Sequence, residues 1–151
     1  MQETTDAKAA DNAHQMPGDV ATRDKLEGVS VSELEAVELP LRLYLQGQAT
    51  DQGAFFRQAF YKDARIIGYS ASSKKFVDLS VEQFAGNFTG KDPEDPTTHT
   101  RTFKVLEITG TVAIGRVSSD LPKSRYVDYM ALQKLDGEWK IVNKSFYETL
   151  K

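Results

Sequence analysis

The chain has 151 residues, with 19 basic and 22 acidic side chains, a formal charge of −3 and no cysteine. That length fits one domain with its own core; the missing cysteines exclude disulfides, thiolate metal sites and thiol nucleophiles. No segment concentrates Lys and Arg as a nucleic-acid partner would require, and no apolar run approaches the ~18 residues needed to span a bilayer.

Residues 1–25 hold Ala, Asp, Thr, Gln and Lys with almost no large apolar side chain, too little to offset the entropy of ordering them. They are expected to form a flexible tail, leaving 26–151 as the folded domain. The segment lacks a basic start followed by an apolar stretch, so it does not read as an intact signal peptide. As given, the chain reads as cytoplasmic; an exported protein whose signal had been removed would read the same way.

Ser30-Val31-Ser32-Glu33 has capping-box spacing, and Leu34, Val37, Leu41 and Leu45 recur at helical intervals, which predicts a helix over residues 31–46. Pro40 falls inside it, so the helix either kinks there or begins nearby with 31–39 as a separate turn. Gly47 is the expected stop, and Thr50 or Asp51 caps a second short helix carrying Phe55, Phe56, Ala59 and Phe60. Residues 64–69 read as a strand and 76–79 as its returning partner. Ser80-Val81-Glu82-Gln83 repeats the capping-box spacing and opens a third helix to about residue 88. A loop with Pro93 and Pro96 follows, then strands over 99–109 and 111–119 around Gly110. Finally, 125–135 and 138–146 flank Asp136-Gly137, a pair suited to a type I′ turn, and form a long antiparallel hairpin. Helices followed by a run of antiparallel strands indicate an α+β fold with the helices on one face of the sheet.

Within the hairpin, alternation puts Tyr126, Asp128, Met130 and Leu132 on one face and Arg125, Val127, Tyr129 and Ala131 on the other. The first face is apolar apart from the acid, and a buried carboxylate is costly unless paired, so Asp128 needs a partner or has a functional pKa shift. Lys144 is the obvious partner. Counting from the turn puts Asp128 opposite Ser145, so a slip or bulge would bring the two side by side. His99, the one histidine beyond the tail, reads either as a general acid/base or ligand hydrogen-bonder at the strand mouth, or as a structural residue bonded to the sheet edge or loop. With no second histidine and no cysteine beside it, a zinc site is not expected. Lys74-Lys75, Glu94-Asp95 and Lys140 read as solvated charges.

The last strand, Gly137-Glu138-Trp139-Lys140-Ile141-Val142-Asn143-Lys144-Ser145-Phe146, resembles the closing strand of the NTF2-like superfamily. Leu43-Tyr44, Phe60 with Asp63-Ala64-Arg65, Leu79-Ser80-Val81-Glu82-Gln83-Phe84, His99 with Arg101, Gly110 with Val112-Ala113, and Tyr126 with Asp128-Tyr129 precede it in the order such domains show. The resemblance covers about 34–146 and is closest to the lumazine-binding-like branch, beside the SnoaL-like one. Tyr61-Lys62 departs from the His-Pro that many relatives carry before Asp-Ala, so a role those relatives give to that histidine does not transfer. The resemblance implies a cone: three N-terminal-side helices packed on a strongly curved, mostly antiparallel sheet, with a pocket at the open end. Its implied lining is Tyr44, Phe56, Phe60, Tyr69, Phe76, Phe84, His99, Tyr126, Asp128 and Lys144, although Phe55, Phe56, Phe60 and Phe84 at helical spacing also read as plain core. It implies a small-molecule binding domain with no cofactor, paired as a homodimer through the outer sheet face as in many relatives. A stacked heteroaromatic ligand is compatible with Tyr and Phe lining. One alternative is an enzyme of the SnoaL or ketosteroid-isomerase kind, in which Asp128 or His99 moves a proton next to a carbonyl while Tyr126 or Tyr44 donates to the developing oxyanion. The other is a protein-interaction domain with an occluded cone.

Overall fold

Ser30 stands at the start of the first helix, its Oγ accepting the Glu33 N–H at 3.0 Å. Helix α1 then runs unbroken over Val31–Thr50. This computed structural model describes residues 26–151, so the tail expected over 1–25 lies outside the described residues. Pro40 neither ends nor delays α1: it lies on the buried face with Val37, Leu41, Tyr44 and Gly47, where burial of its ring offsets part of the lost backbone bond. Only half of the expected capping box forms. The Glu33 carboxylate instead accepts the Trp139 indole N–H at 3.0 Å and lies 3.6 Å from Lys134 Nζ, tying the helix start to the final hairpin.

Gly47 is not the stop the sequence suggested. The helix continues to Thr50 and ends at Asp51, which takes a left-handed φ of 59°. Glycine is required at 47 for a different reason, since a Cβ there would stand 2.8 Å from ring carbons of Phe56. Helix α2 spans Gly53–Ala59 after an uncapped Gln52. Asp51 does not cap it; its carboxylate accepts the N–H groups of Gly90 and Asp92, each at 3.0 Å, and holds the loop beyond the third helix.

Phe60, expected in α2, opens strand β1 (Phe60–Ser70). β2 follows at Lys75–Ser80, then α3 at Val81–Ala85, with both halves of the Ser80–Gln83 capping box formed. The remaining strands are β3 (Thr100–Thr109), β4 (Val112–Asp120), β5 (Ser124–Leu135) and β6 (Glu138–Leu150). They form one sheet in the order β2-β1-β6-β5-β4-β3, antiparallel throughout except for the parallel β1/β6 pair. The sheet curls without closing. Asp136 and Gly137 make the β5/β6 turn with φ of 51° and 82°, the positive values a type I′ turn needs.

One irregularity decides what faces the core. From Leu135↔Glu138 to Leu132↔Ile141 the β5/β6 register is the one counted from the turn, but Ala131 pairs with Asn143, leaving Val142 as a bulge. The extra residue switches parity along β6: Trp139 and Ile141 are buried before it, Lys144 and Glu148 after it. Asp128 consequently pairs with Phe146 and Met130 with Lys144, which sets the aspartate and lysine diagonally on the same face. Helices α1, α2 and α3 cover that concave face, and Val37, Leu41, Phe56, Val117, Met130, Leu132 and Ile141 form the fully shielded core between the layers.

Candidate functional site

The core does not fill the concave face evenly. A cavity of about 290 Å³ remains, walled by Ile66, Val77, Leu79, Phe84, Phe88, Leu121 and Phe146 and carrying Tyr44, Gln48, Ser70, Asn87, Arg101, Tyr126, Asp128 and Lys144 as its polar groups. Alternation on β1, β5 and the post-bulge half of β6 aims Ile66, Ser70, Asp128, Lys144 and Phe146 inward, and α1 delivers Tyr44 and, one turn later, Gln48.

The hydroxyl of Tyr44 is the hub. It donates to Asp128 Oδ2 at 2.8 Å and accepts from Lys144 Nζ at 2.7 Å and from Gln48 Nε2 at 3.0 Å, which uses its one donor and both acceptor sites. Lys144 Nζ lies 3.8 Å from Asp128 Oδ2, with both side chains at most 5% exposed. The rings of Tyr44, Phe84 and Phe146 surround the ammonium position at 5.0, 4.6 and 4.9 Å from their centroids. Asp128 Oδ1 is buried and has no hydrogen-bond partner among the described residues. An unmatched buried carboxylate oxygen is costly, and such groups concentrate where a ligand or a reaction uses them.

The surroundings tune these groups unequally. Burial pushes the Lys144 amine below the ordinary lysine value; Asp128 opposes that shift and Arg101 adds to it. Burial, then the Asp128 charge, raises the Tyr44 phenol well above its usual value. Tyr126 is pushed up to about 12 by burial and then by the Glu148 charge. Burial pushes Glu148 upward, but donors from the Ser72 N–H, Ser70, Tyr126 and the Ser72 hydroxyl outweigh it and hold the acid below the ordinary value. Arg101 is fixed by Ser119 Oγ at 2.7 Å and by both oxygens of Glu94.

Of the residues singled out in the sequence, Tyr44, Phe84, Tyr126, Asp128 and Lys144 line this cavity. Phe56 and Phe60 do not: they are core, Phe56 packing edge-on against Phe84 with centroids 4.8 Å apart. Tyr69 and Phe76 are on the opposite side of the sheet, because Ile66 and Ser70 point inward and Tyr69 therefore points out. Phe76 pairs with Tyr69 across β1/β2 and is 77% exposed. The expectation that His99 and Asp128 share a cavity is corrected as well. His99 precedes β3, and its Nδ1 lies 3.1 Å from the Asp95 carbonyl and 2.9 Å from Thr98 Oγ1, so the ring belongs to its own loop and does not line the cavity. Glu94 and Lys140 are not free solvated charges either: Glu94 grips Arg101, and Lys140 donates to the Gln58 carbonyl at 2.8 Å.

The sequence reading missed Gln48, Arg101 and Phe146 as lining. Gln48 carries a signal in being one helical turn from Tyr44, and Phe146 in lying two residues beyond Lys144 on a strand. Arg101 stood among the residues that carried the family resemblance without being given a role.

A family model described as putative lumazine-binding matches residues 32–147. The chain belongs to this putative lumazine-binding family, within the NTF2-like superfamily. Among curated proteins, this family member is 26% identical over 121 residues to aldolase FrzH of Cladobotryum sp, covering 79% of this chain and 94% of that one. Among solved structures, it is similar to an NTF2-like protein of unknown function from Shewanella baltica OS155, with 22% identity, a TM-score of 0.70 and coverage of 82% and 98% of the two chains. An NTF2-like protein of unknown function from Methylobacillus flagellatus KT superposes with a TM-score of 0.67 at 28% identity, covering 81% and 96%.

Proposed function

We propose that this family member binds a small, largely apolar molecule bearing a carbonyl or a comparable polar group in the concave cavity. One observation carries the reading: apolar walls converge on the Tyr44–Asp128–Lys144 cluster, where one buried carboxylate oxygen has no partner among the described residues. Mostly apolar concavities with a few convergent polar groups are the usual form of small-molecule sites, and this volume suits a compact ligand. A thermal-shift and calorimetric panel of heteroaromatic compounds and cyclic ketones tests it. Hits should bind at least tenfold more weakly to Leu79→Trp, whose indole fills the cavity. Ligands bound equally well by the filled variant would overturn the assignment.

A second reading, acid/base catalysis next to a carbonyl, is favoured by the same free oxygen and by the relative named as an aldolase. Asp128 Oδ1 would accept the α-proton while Lys144 and Arg101 supply positive charge to the developing enolate oxygen. Tyr126 is the weaker donor for that oxygen, since burial and the Glu148 charge push its phenol up to about 12. We also propose that copies of the chain pair through the outer sheet face.

A further inference from the structure

We propose that Lys144 is an amine nucleophile that forms an imine with an aldehyde or ketone held in the cavity. This rests on the binding reading above and goes beyond it by making the ligand's carbonyl carbon, and not only its oxygen, the target.

The geometry supports three requirements of such chemistry. The first is an amine in an apolar enclosure next to the ligand space: Lys144 Nζ sits among the rings of Tyr44, Phe84 and Phe146, all of which line the same cavity. Desolvation of this kind is the usual way a lysine becomes nucleophilic, and burial does hold this amine below the ordinary lysine value. The second is a route for the ammonium proton. Nζ is 2.7 Å from Tyr44 Oη, which is 2.8 Å from Asp128 Oδ2, so a proton can pass from Nζ to Oη while the phenolic proton passes to the carboxylate. The third is a group that can take a carbon-bound proton afterwards, and Asp128 Oδ1 is buried with no partner among the described residues.

The step balances without an outside reagent. Neutral Nζ attacks the carbonyl carbon; the C–N bond forms as the C=O π bond opens, the oxygen gains a proton and Nζ loses one, giving a carbinolamine. The C–O bond then breaks, its oxygen leaves as water with a second proton returned along the Tyr44 relay, and an iminium remains opposite the Asp128 carboxylate. Removal of an α-proton by Asp128 would give the enamine, a carbon nucleophile. The charged groups facing Nζ are Asp128 from β5 and Arg101 from β3; Tyr44 from α1 supplies the relay.

Acetylacetone tests this directly, because it condenses with a neutral amine to a stable vinylogous amide that absorbs in the near-ultraviolet. The full chain is incubated at neutral pH, digested and mapped by mass spectrometry, with a cavity ligand from the panel above measured in parallel. Lys144 should be modified more than about tenfold faster than the mean of the other lysines, because burial among three rings keeps more of its amine neutral beside the ligand space. The cavity ligand should protect it, Lys144→Arg should remove the fast phase of the absorbance, and Tyr44→Phe, which breaks the relay, should slow that phase. Label spread over surface lysines with Lys144 unmodified, in protein that still binds the cavity ligand, would overturn the nucleophile and spare the binding reading. Lys144 unmodified in protein that binds nothing in the cavity would overturn both.

Discussion

Glu148 is a buried acid that holds Ser70, one of the residues lining the cavity. It lies past the stretch that carries the family resemblance, yet it is buried at 4% exposure and receives Ser70 Oγ at 3.1 Å with the Ser72 N–H and Oγ at 3.2 Å each. These donors depress its folded pKa below the unfolded value of about 4.3, so the unfolded chain binds the proton more readily. The stability it confers is therefore complete above about pH 4.3 and is lost as pH falls through the lower folded value. Glu148→Gln should cost about 1.5–3 kcal/mol at neutral pH, the range for hydrogen bonds to a charged group. In urea titrations across pH, the two proteins should converge in acid. A gap that stays constant down to about pH 2 would show that the charge is irrelevant.

At the scale of the element, β6 joins the helical layer to the site. Trp139 is buried before the bulge and bonded through its indole to Glu33 in the first turn of α1, so it holds the closing strand against the helix. Trp139→Ala should cost about 3–5 kcal/mol, whereas Trp139→Phe keeps most of the apolar contact and should lose about 1 kcal/mol with the hydrogen bond. Denaturant midpoints measure both, and an alanine loss under about 1 kcal/mol would mean that the indole is not packed as described. The same strand shows how far the sequence could be read. Its hairpin turn and inward Asp128 follow from Asp136-Gly137 and period-two alternation, while Lys144 is suggested as the partner by its charge alone. The Val142 bulge does not, because nothing in the residue string separates an inserted residue from a regular one, and strict alternation would have set Lys144 opposite in parity to Asp128. Gly47 was misread for a related reason. A glycine at a helix end and a glycine beneath a ring look alike until Phe56 is in place. His99 was overvalued by residue type alone: only the Asp95 carbonyl and Thr98 reveal that this imidazole closes a loop.

For the whole molecule, one sheet serves two surfaces. The concave side holds the core and cavity, and the outer side carries Phe76, Tyr147 and Tyr129 at 77%, 60% and 50% exposure, with Tyr69 stacked on Tyr147 at 5.7 Å. Ile67 and Ile114 extend the patch between the charged Arg65–Asp78 pair on one side and Arg116 on the other. Six strands about 4.8 Å apart and about ten residues long present roughly 800 Å², the area each partner contributes to a standard interface. Aromatic residues are also what interface centres favour. The proposed homodimer follows from that face, and because the cavity opens on the opposite side, pairing and ligand binding should be separable. Sedimentation velocity on the full chain should give a dimer at micromolar concentration, and Tyr147→Glu, which sets a carboxylate on each side of the contact, should shift it to monomer with the cavity ligand still bound. A wild-type chain that stays monomeric into the high micromolar range would remove the outer face as a dimer interface, and a Tyr147→Glu dimer of undiminished affinity would move the contact elsewhere on the molecule.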